Sequence, residues 1–243
     1  MTSKRREKIR LLLQEHGNLT VAELAKRFDV SEMTIRRELK VLADLGLIQR
    51  EHGGARFLAR LGEAEREKTF IGKLAADLVA AGDSIILDAG TTTLAVAQSL
   101  KKKCVAITNS LPIVNLLLNR PEITLLVTGG EVRGTTQALV GPMTREALAN
   151  FNADKLFLAT TGLSIDRGLS TNNMQESEIK QSMIEAAKQV VLVAHSAKFG
   201  QVCYHTFAHW DQIDVLVTDS RLDENTGQQL ENMGVKVLTA KLS

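Results

Sequence analysis

The stretch 88-DAGTTT-93 joins an apolar run, 85-IIL-87, to a second apolar segment, 94-LAVAQSL-100. A strand ending in Asp88, a tight turn at Gly90 and three hydroxyls, Thr91, Thr92 and Thr93, at the mouth of a helix make a cradle for a phosphate. Glycine lets backbone N–H groups approach an anion, hydroxyls add hydrogen bonds, and a helix N-terminus favours negative charge. Other strand ends have the same character: Thr108, Asn109 and Ser110, then Gly129 and Gly130, then 160-TTG-162, then 195-HSAKFG-200. Each alone is ordinary turn chemistry; together they indicate a pocket. Lys198, between a strand and a glycine, has the length to meet a phosphate or a hydroxyl. Glu176 and Lys180, spaced i, i+4 at a helix start, fit either that pocket or a surface salt bridge. Glu178 beside them is read as complementing the helix dipole. His205 and His209 are spaced i, i+4 but lack a third ligand, and Cys104 and Cys203 form no CxxC pair. No metal, cofactor or catalytic thiol is expected.

The elements that must position these residues alternate between strands and helices from about residue 70. Apolar runs fall at 84-SIILD-88, 105-VAIT-108, 123-ITLLVT-128, 155-KLFLAT-160, 190-VVLVA-194, 213-IDVLVT-218 and 235-VKVLT-239. They are continuous and β-branched, as strands buried on both faces should be. Helical segments lie between several of them, among them 70-FIGKLAADLVA-80, 111-LPIVNLLLN-119 and 176-ESEIKQSMIEAA-187. This predicts an α/β, Rossmann-like domain around a mainly parallel sheet, where ligands bind beyond the carboxyl ends of the strands.

The first 60 residues differ. They carry 13 Lys+Arg against 8 Asp+Glu, a net +5, whereas the remainder is −3. That asymmetry fits a nucleic-acid contact or an ordinary solvated helical surface equally well. The pattern within the segment separates the two. Ile9, Leu12 and Leu13 mark a first helix, ended by Gly17. Thr20 and Glu23 fit a capping box for a second, which runs to about Phe28. After the turn 29-DV-30, Ser31 caps a third, which runs to about Leu45 and is stopped by Gly46. Ile35, Leu39 and Leu42 form its buried stripe; Met33, Arg36, Arg37 and Lys40 point away, with Thr34 at the flank. Two short helices and a tight turn make a helix-turn-helix, whose second helix enters the major groove. A hairpin over 47-LIQREHGGARF-57, turning at Gly53-Gly54, makes a wing that offers Arg50, His52 and Arg56 to the DNA backbone. Ser31, Met33, Thr34, Arg36, Arg37 and Lys40, with those three, are the candidate DNA contacts.

Composition narrows the class. Apolar residues make up 44% and aromatics 4% of 243 residues, so the core is aliphatic. No apolar run approaches the ~20 residues of a membrane span, and the charged start, 1-MTSKRREKIR-10, lacks a signal-peptide block. A cytoplasmic protein is expected, with residues 1–57 binding DNA, 58–69 as linker and 70–243 as a sensing and oligomerisation domain.

The run 30-VSEMTIRRELKVLADLGLIQREHGGA-55 resembles the N-terminal domain of DeoR-type bacterial transcriptional regulators. The body resembles their sensor domain, with 88-DAGTTT-93, 108-TNS-110, 128-TGGEVR-133, 176-ESEIK-180 and 198-KFG-200 in the family's order. The resemblance implies a winged-helix repressor whose C-terminal domain binds a phosphorylated sugar, in a fold similar to ribose-5-phosphate isomerase. It adds Arg133 to the effector candidates. It further implies double-stranded operator DNA and a second copy, in a dimer or tetramer, as partners. The chain departs from the family's usual pattern at His195, where an Asp is usual, and at Ala197, where a hydroxyl precedes Lys198. The linker also looks shorter than usual. Two other readings stand beside the sensor: an isomerase-like enzyme with a DNA-binding appendage, and a constitutive DNA-binding protein. The 160-TTGLSIDRG-168 region offers only Asp166 as an acid, which disfavours the enzyme.

Overall fold

The computed structural model describes residues 2–16, 18–44, 48–51, 54–57 and 59–241. The chain divides into two compact units, Met1–Glu65 and Arg66–Ser243.

The first unit contains helix α1 (Thr2–His16), strand β1 (Asn18–Thr20), helices α2 (Val21–Phe28) and α3 (Glu32–Asp44), and strands β2 (Ile48–Glu51) and β3 (Gly54–Phe57). The capping box forms: the Glu23 amide donates to Thr20 Oγ1 at 3.2 Å and the Thr20 amide to Glu23 Oε2 at 2.7 Å. Asp29 ends α2 in the left-handed region, φ 50°, a conformation that a short polar side chain tolerates. Two residues later Ser31 Oγ accepts from the Thr34 amide at 3.3 Å and opens α3. Ile35, Leu39 and Leu42 of α3 pack with Ile9, Leu13, Val21, Leu24 and Ala55 in one core. The wing hairpin β2–β3 is present, and β3 also pairs with β1, giving the order β1-β3-β2. That third strand has only three residues, too few for a periodic signal. Gly17, Leu45, Gly46, His52 and Gly53, expected at helix ends and at the wing tip, lie outside the described residues.

Helix α4 (Ala59–Asp77) occupies much of the segment expected as a linker. Its first half is charged and lacks an apolar stripe, yet Ala, Leu, Glu, Lys and Arg are strong helix formers.

The second unit continues with β4 (Ser84–Leu87), α5 (Thr91–Ser99), β5 (Cys104–Thr108), α6 (Leu111–Leu117), β6 (Ile123–Val127), β7 (Glu131–Arg133), β8 (Ala138–Val140), α7 (Pro142–Ala149), β9 (Lys155–Leu158), β10 (Gly162–Ser164), β11 (Gly168–Thr171), α8 (Met174–Glu185), β12 (Val190–Val193), β13 (His205–Ala208), β14 (Val215–Asp219), α9 (Glu224–Asn232) and β15 (Lys236–Ala240). The seven apolar runs form one sheet, order β15-β14-β12-β9-β4-β5-β6, with every pair parallel. Alternate residues feed two cores. Ile86, Leu156, Leu192 and Leu216 pack on one face; Ile85, Leu87, Phe157, Val191 and Val217 pack on the other. Strand order reverses between β4 and β9, so the crevice beyond their carboxyl ends is the topological switch point where such sheets bind ligands. The antiparallel set β10-β11-β13 and the hairpin β7–β8 are additions that the apolar runs do not announce.

At the opposite ends of the strands, Asp154 accepts from the Ser84 amide at 2.9 Å, from Lys188 Nζ at 2.9 Å and from Ser84 Oγ at 2.8 Å. These bonds hold its carboxyl well below the usual carboxylate range. A depressed folded-state pKa contributes stability above the unfolded value, about 3.9 for Asp, and loses it as pH falls toward the folded one. Asp154→Asn is therefore expected to be less stable than the parent near neutrality and to lose less stability on acidification. Urea midpoints at neutral and acid pH measure this; equal acid slopes in both proteins would remove Asp154 from the account.

Candidate functional site

At the switch point, Asp88 closes β4 and faces the end of β9. Its Oδ2 accepts from the Ala159 amide at 2.9 Å and from Lys180 Nζ at 2.5 Å. Lys180 also donates to the Ala159 carbonyl at 3.0 Å and lies 5.7 Å from the Phe207 ring centroid. Both charged side chains are buried, at 2% and 7% exposure. This removes the surface salt-bridge alternative for Glu176 and Lys180. Lys180 turns inward to Asp88, while Glu176 pairs with Arg133 at 3.0 Å and accepts from Thr136 Oγ1 at 2.6 Å. Spacing along one helix could not reveal that the better partners lie on other elements.

Gly90 caps α5 where the chain presses on β9: a Cβ there would stand 2.8 Å from Ala159 Cβ. The first-turn amides of α5 follow it. Thr91 is exposed, and Thr92 and Thr93 are buried. Thr93 Oγ1 donates to the Gly90 carbonyl at 2.8 Å, and Thr108 Oγ1 to the Leu87 carbonyl at 2.7 Å. These two hydroxyls therefore brace the backbone. Asn109 ties the end of β5 to β8, donating through Nδ2 to the Leu139 carbonyl at 3.1 Å, while its Oδ1 is buried without a partner among the described residues. Ser110 is buried at the start of α6. Gly129 and Gly130 both have positive φ, 70° and 122°. A Cβ on Gly130 would meet Thr144 Oγ1 at 2.1 Å, and Thr144 Oγ1 donates to the Gly129 carbonyl at 2.6 Å. Gly130 thus admits helix α7 at close range, while a Cβ on Gly129 would meet Met143 Sδ at 3.3 Å.

Lys198 comes to the same crevice from the other side. The short turn Ser196–Lys198 follows β12, and Lys198 Nζ donates to the Thr160 carbonyl beyond β9. Among the described residues no carboxylate lies within ion-pair distance of it. Burial, then the charges of Lys180 and Lys68, push its pKa down to about 8; Asp88 and Cys203 oppose the shift. Asp219, at the end of β14, anchors this turn by accepting from the Ser196 amide at 2.7 Å and Ser196 Oγ at 2.8 Å. The apolar run 213-IDVLVT-218 stops one residue short of this strand, so Asp219 is absent from the sequence candidates; its position at a strand end is the available signal. The structure thus brings Asp88, Gly90, Lys180 and Lys198 together, and sets Thr108–Ser110, Gly129, Gly130, Arg133 and Glu176 as neighbouring braces.

On the first unit, Ser31, Met33, Arg36, Arg37 and Lys40 are exposed and Thr34 is half-buried, opposite the stripe of Ile35, Leu39 and Leu42. Arg36 pairs with Glu32 at 3.2 Å. Glu38, on the inner side of α3, is clamped by Arg5 at 3.0 Å and Arg6 at 2.9 Å. These interlocks fix α3 to α1, and the pattern of apolar residues gave no hint of them. Arg50 and Arg56 lie on the two wing strands, opposite Ala55 and Gln49; His52 lies outside the described residues.

A winged helix-turn-helix joined to an α/β unit with a polar switch-point crevice defines a transcriptional regulator with its own sensor domain. Residues 5–60 match the DeoR-like helix-turn-helix domain and residues 63–220 the DeoR C terminal sensor domain. The chain belongs to the DeoR family of transcriptional regulators. It is 35% identical to the HTH-type transcriptional regulator GlpR of Haloferax volcanii, over 98% of each chain. It is 31% identical to a putative aga operon transcriptional repressor of Escherichia coli O157:H7, over 98% of this chain and 93% of that one. It is also 31% identical to the HTH-type transcriptional repressor GlcR of Bacillus subtilis, over 94% and 93%. Among solved structures, ribose 5-phosphate isomerase A of Methanocaldococcus jannaschii aligns with a TM-score of 0.40 and 17% identity, over 54% of this chain and 53% of that one. No helix among the described residues is long and apolar enough to cross a membrane.

Proposed function

We propose that this regulator is a repressor of sugar-metabolism genes, released from its operator by a phosphorylated sugar or a related intermediate. The observation that carries the effector class is Lys198: a largely desolvated ammonium with no carboxylate partner among the described residues, beside a second lysine at the end of β9. Such a site favours an anion. The phosphate sits on the first-turn amides after Gly90 with Lys198 against it, and Thr91, Thr92, Asn109 and Ser110 line the remainder. Asp88 is sealed by Lys180 and the Ala159 amide, so it is engaged as a scaffold and ill placed as a general base. That supports sensing over isomerisation. Two of the relatives carry the name repressor, which supports the sign of the response.

In this reading the exposed face of α3 enters the major groove. Arg36 and Arg37 reach base edges or phosphates; Ser31, Met33, Thr34 and Lys40 flank them; Arg50, His52 and Arg56 of the wing hold the backbone. A dimer or tetramer built through the α/β unit pairs the heads on repeated half-sites. The effector must bind the released arrangement more tightly than the DNA-bound one, since only differential affinity shifts the balance.

The test is operator binding by the full chain at fixed salt, titrated with sugar phosphates and their unphosphorylated forms. Release by a phosphorylated compound alone supports the reading; release by an unphosphorylated sugar, or turnover of the compound, overturns it. In the same assay Arg37→Ala is expected to weaken operator binding by ~1–3 kcal/mol if Arg37 reads a base. Unchanged affinity would take it off the interface.

A further inference from the structure

His195 precedes the turn that carries Lys198, and its carbonyl accepts from the Lys198 amide at 3.1 Å. Its ring Nδ1 is buried and makes no hydrogen bond among the described residues. The nearby carboxylate, Asp219, is already engaged by the Ser196 amide, the Ser196 hydroxyl and the Arg221 amide at 3.0 Å. Burial first, then the charges of Lys198 on the same turn and Lys68 on α4, push the ring pKa down to about 4, against the pull of Asp219. A neutral imidazole with an unpaired buried nitrogen, set beside cations, is an unusual arrangement, because buried polar atoms nearly always find partners.

We propose that His195 is a ligand-contacting, specificity-determining residue of the sensor site: its Nδ1 engages a doubly charged oxyanion seated on Lys198, and the ring takes up a proton as that anion binds. The inference rests on the reading of the crevice as an anion site. The incoming charge offsets the two lysines, and an anion oxygen accepts from Nδ1–H. The imidazolium then forms at a pH where the free site holds the ring neutral. A singly charged group offsets the lysines less and gains less from the ring. The site therefore prefers a phosphate monoester dianion to a carboxylate of the same size.

Sulfate is a suitable probe, since it remains a dianion through the neutral range. Trp210, the chain's sole tryptophan, stacks on Phe199 with ring centroids 6.0 Å apart, so its fluorescence reports on the residue next to Lys198. Sulfate is titrated against the full-length parent, His195→Gln and Lys198→Met between about pH 5.5 and about pH 7.5. In the parent, affinity is expected to fall roughly threefold or more across that range, within the limit of about tenfold per pH unit for one proton. In H195Q it is expected to stay flat, and in K198M binding is expected to be lost. Identical pH profiles in the parent and H195Q, with K198M still inactive, overturn the role of His195 and leave the anion site standing. No sulfate binding by the parent overturns both. Should H195Q fail to fold, calorimetry of the parent near pH 6.5 in two buffers of different ionisation enthalpy decides: uptake of about a quarter of a proton or more per sulfate, the mean that a threefold fall over two pH units requires, supports the proposal and no uptake overturns it.

Discussion

Lys180→Met is expected to destabilise the α/β unit by about 3–5 kcal/mol, the cost of leaving one member of a buried ion pair without the other. Methionine matches the length of the lysine stem, so little packing is lost. What is lost is the ammonium that neutralises Asp88, which is 2% exposed and has the Ala159 amide as its remaining donor. A carboxylate stranded there must bind a proton or recruit water, and either loosens the contact between the ends of β4 and β9. Asp88→Asn alone leaves Lys180 with the Ala159 carbonyl and the Phe207 ring face, and is expected to cost less. The double variant is expected to recover part of the single losses, and the cycle gives the pair's coupling energy. Urea unfolding of the four proteins measures it. Full stability in K180M together with a lost effector response would make the pair a ligand-binding element, contrary to the scaffold role argued from its burial.

The pair also shows what was legible in the sequence. All seven parallel strands were readable, because a strand buried on both faces must be apolar throughout, and runs such as 190-VVLV-193 fit no competing element. Helix α3 was readable for the converse reason: its stripe of Ile35, Leu39 and Leu42 leaves a single face for Arg36, Arg37 and Lys40. Partnerships across the chain were not readable. Lys180 lies four residues from Glu176 and 92 from Asp88, and local spacing can offer only the nearer acid as a partner. The glycines at 129 and 130 announced a special backbone but not its reason, the approach of Thr144 from a helix with little periodic signal. The clamp of Arg5 and Arg6 on Glu38 was hidden because all three belong to residue types expected at a surface. Charge buried by tertiary contact looks, in sequence, like charge in solvent.

Lys198 separates binding from scaffolding, because the same substitution there should have the opposite effect on stability. Its ammonium is desolvated and donates to the Thr160 carbonyl with no carboxylate at ion-pair distance among the described residues. The folded state therefore disfavours the charge, which is why the pKa falls to about 8. A methionine removes that penalty, so Lys198→Met is expected to be at least as stable as the parent, whereas Lys180→Met is much less stable. Operator affinity without effector should be unchanged. The response to effector should be lost, since truncating one partner of a buried charged contact costs roughly 2–5 kcal/mol, about 30-fold or more in affinity. The pH dependence has a definite sign. Lysine binds an anion in its protonated form, so effector affinity in the parent should weaken as pH rises through about 8, and the residual affinity of K198M should show no such step. Operator release assays on both sides of that pH provide the measurement. Retained induction in a folded K198M protein would move the anion site away from the β4–β9 crevice, and the sensor reading of 88-DAGTTT-93 would fall with it.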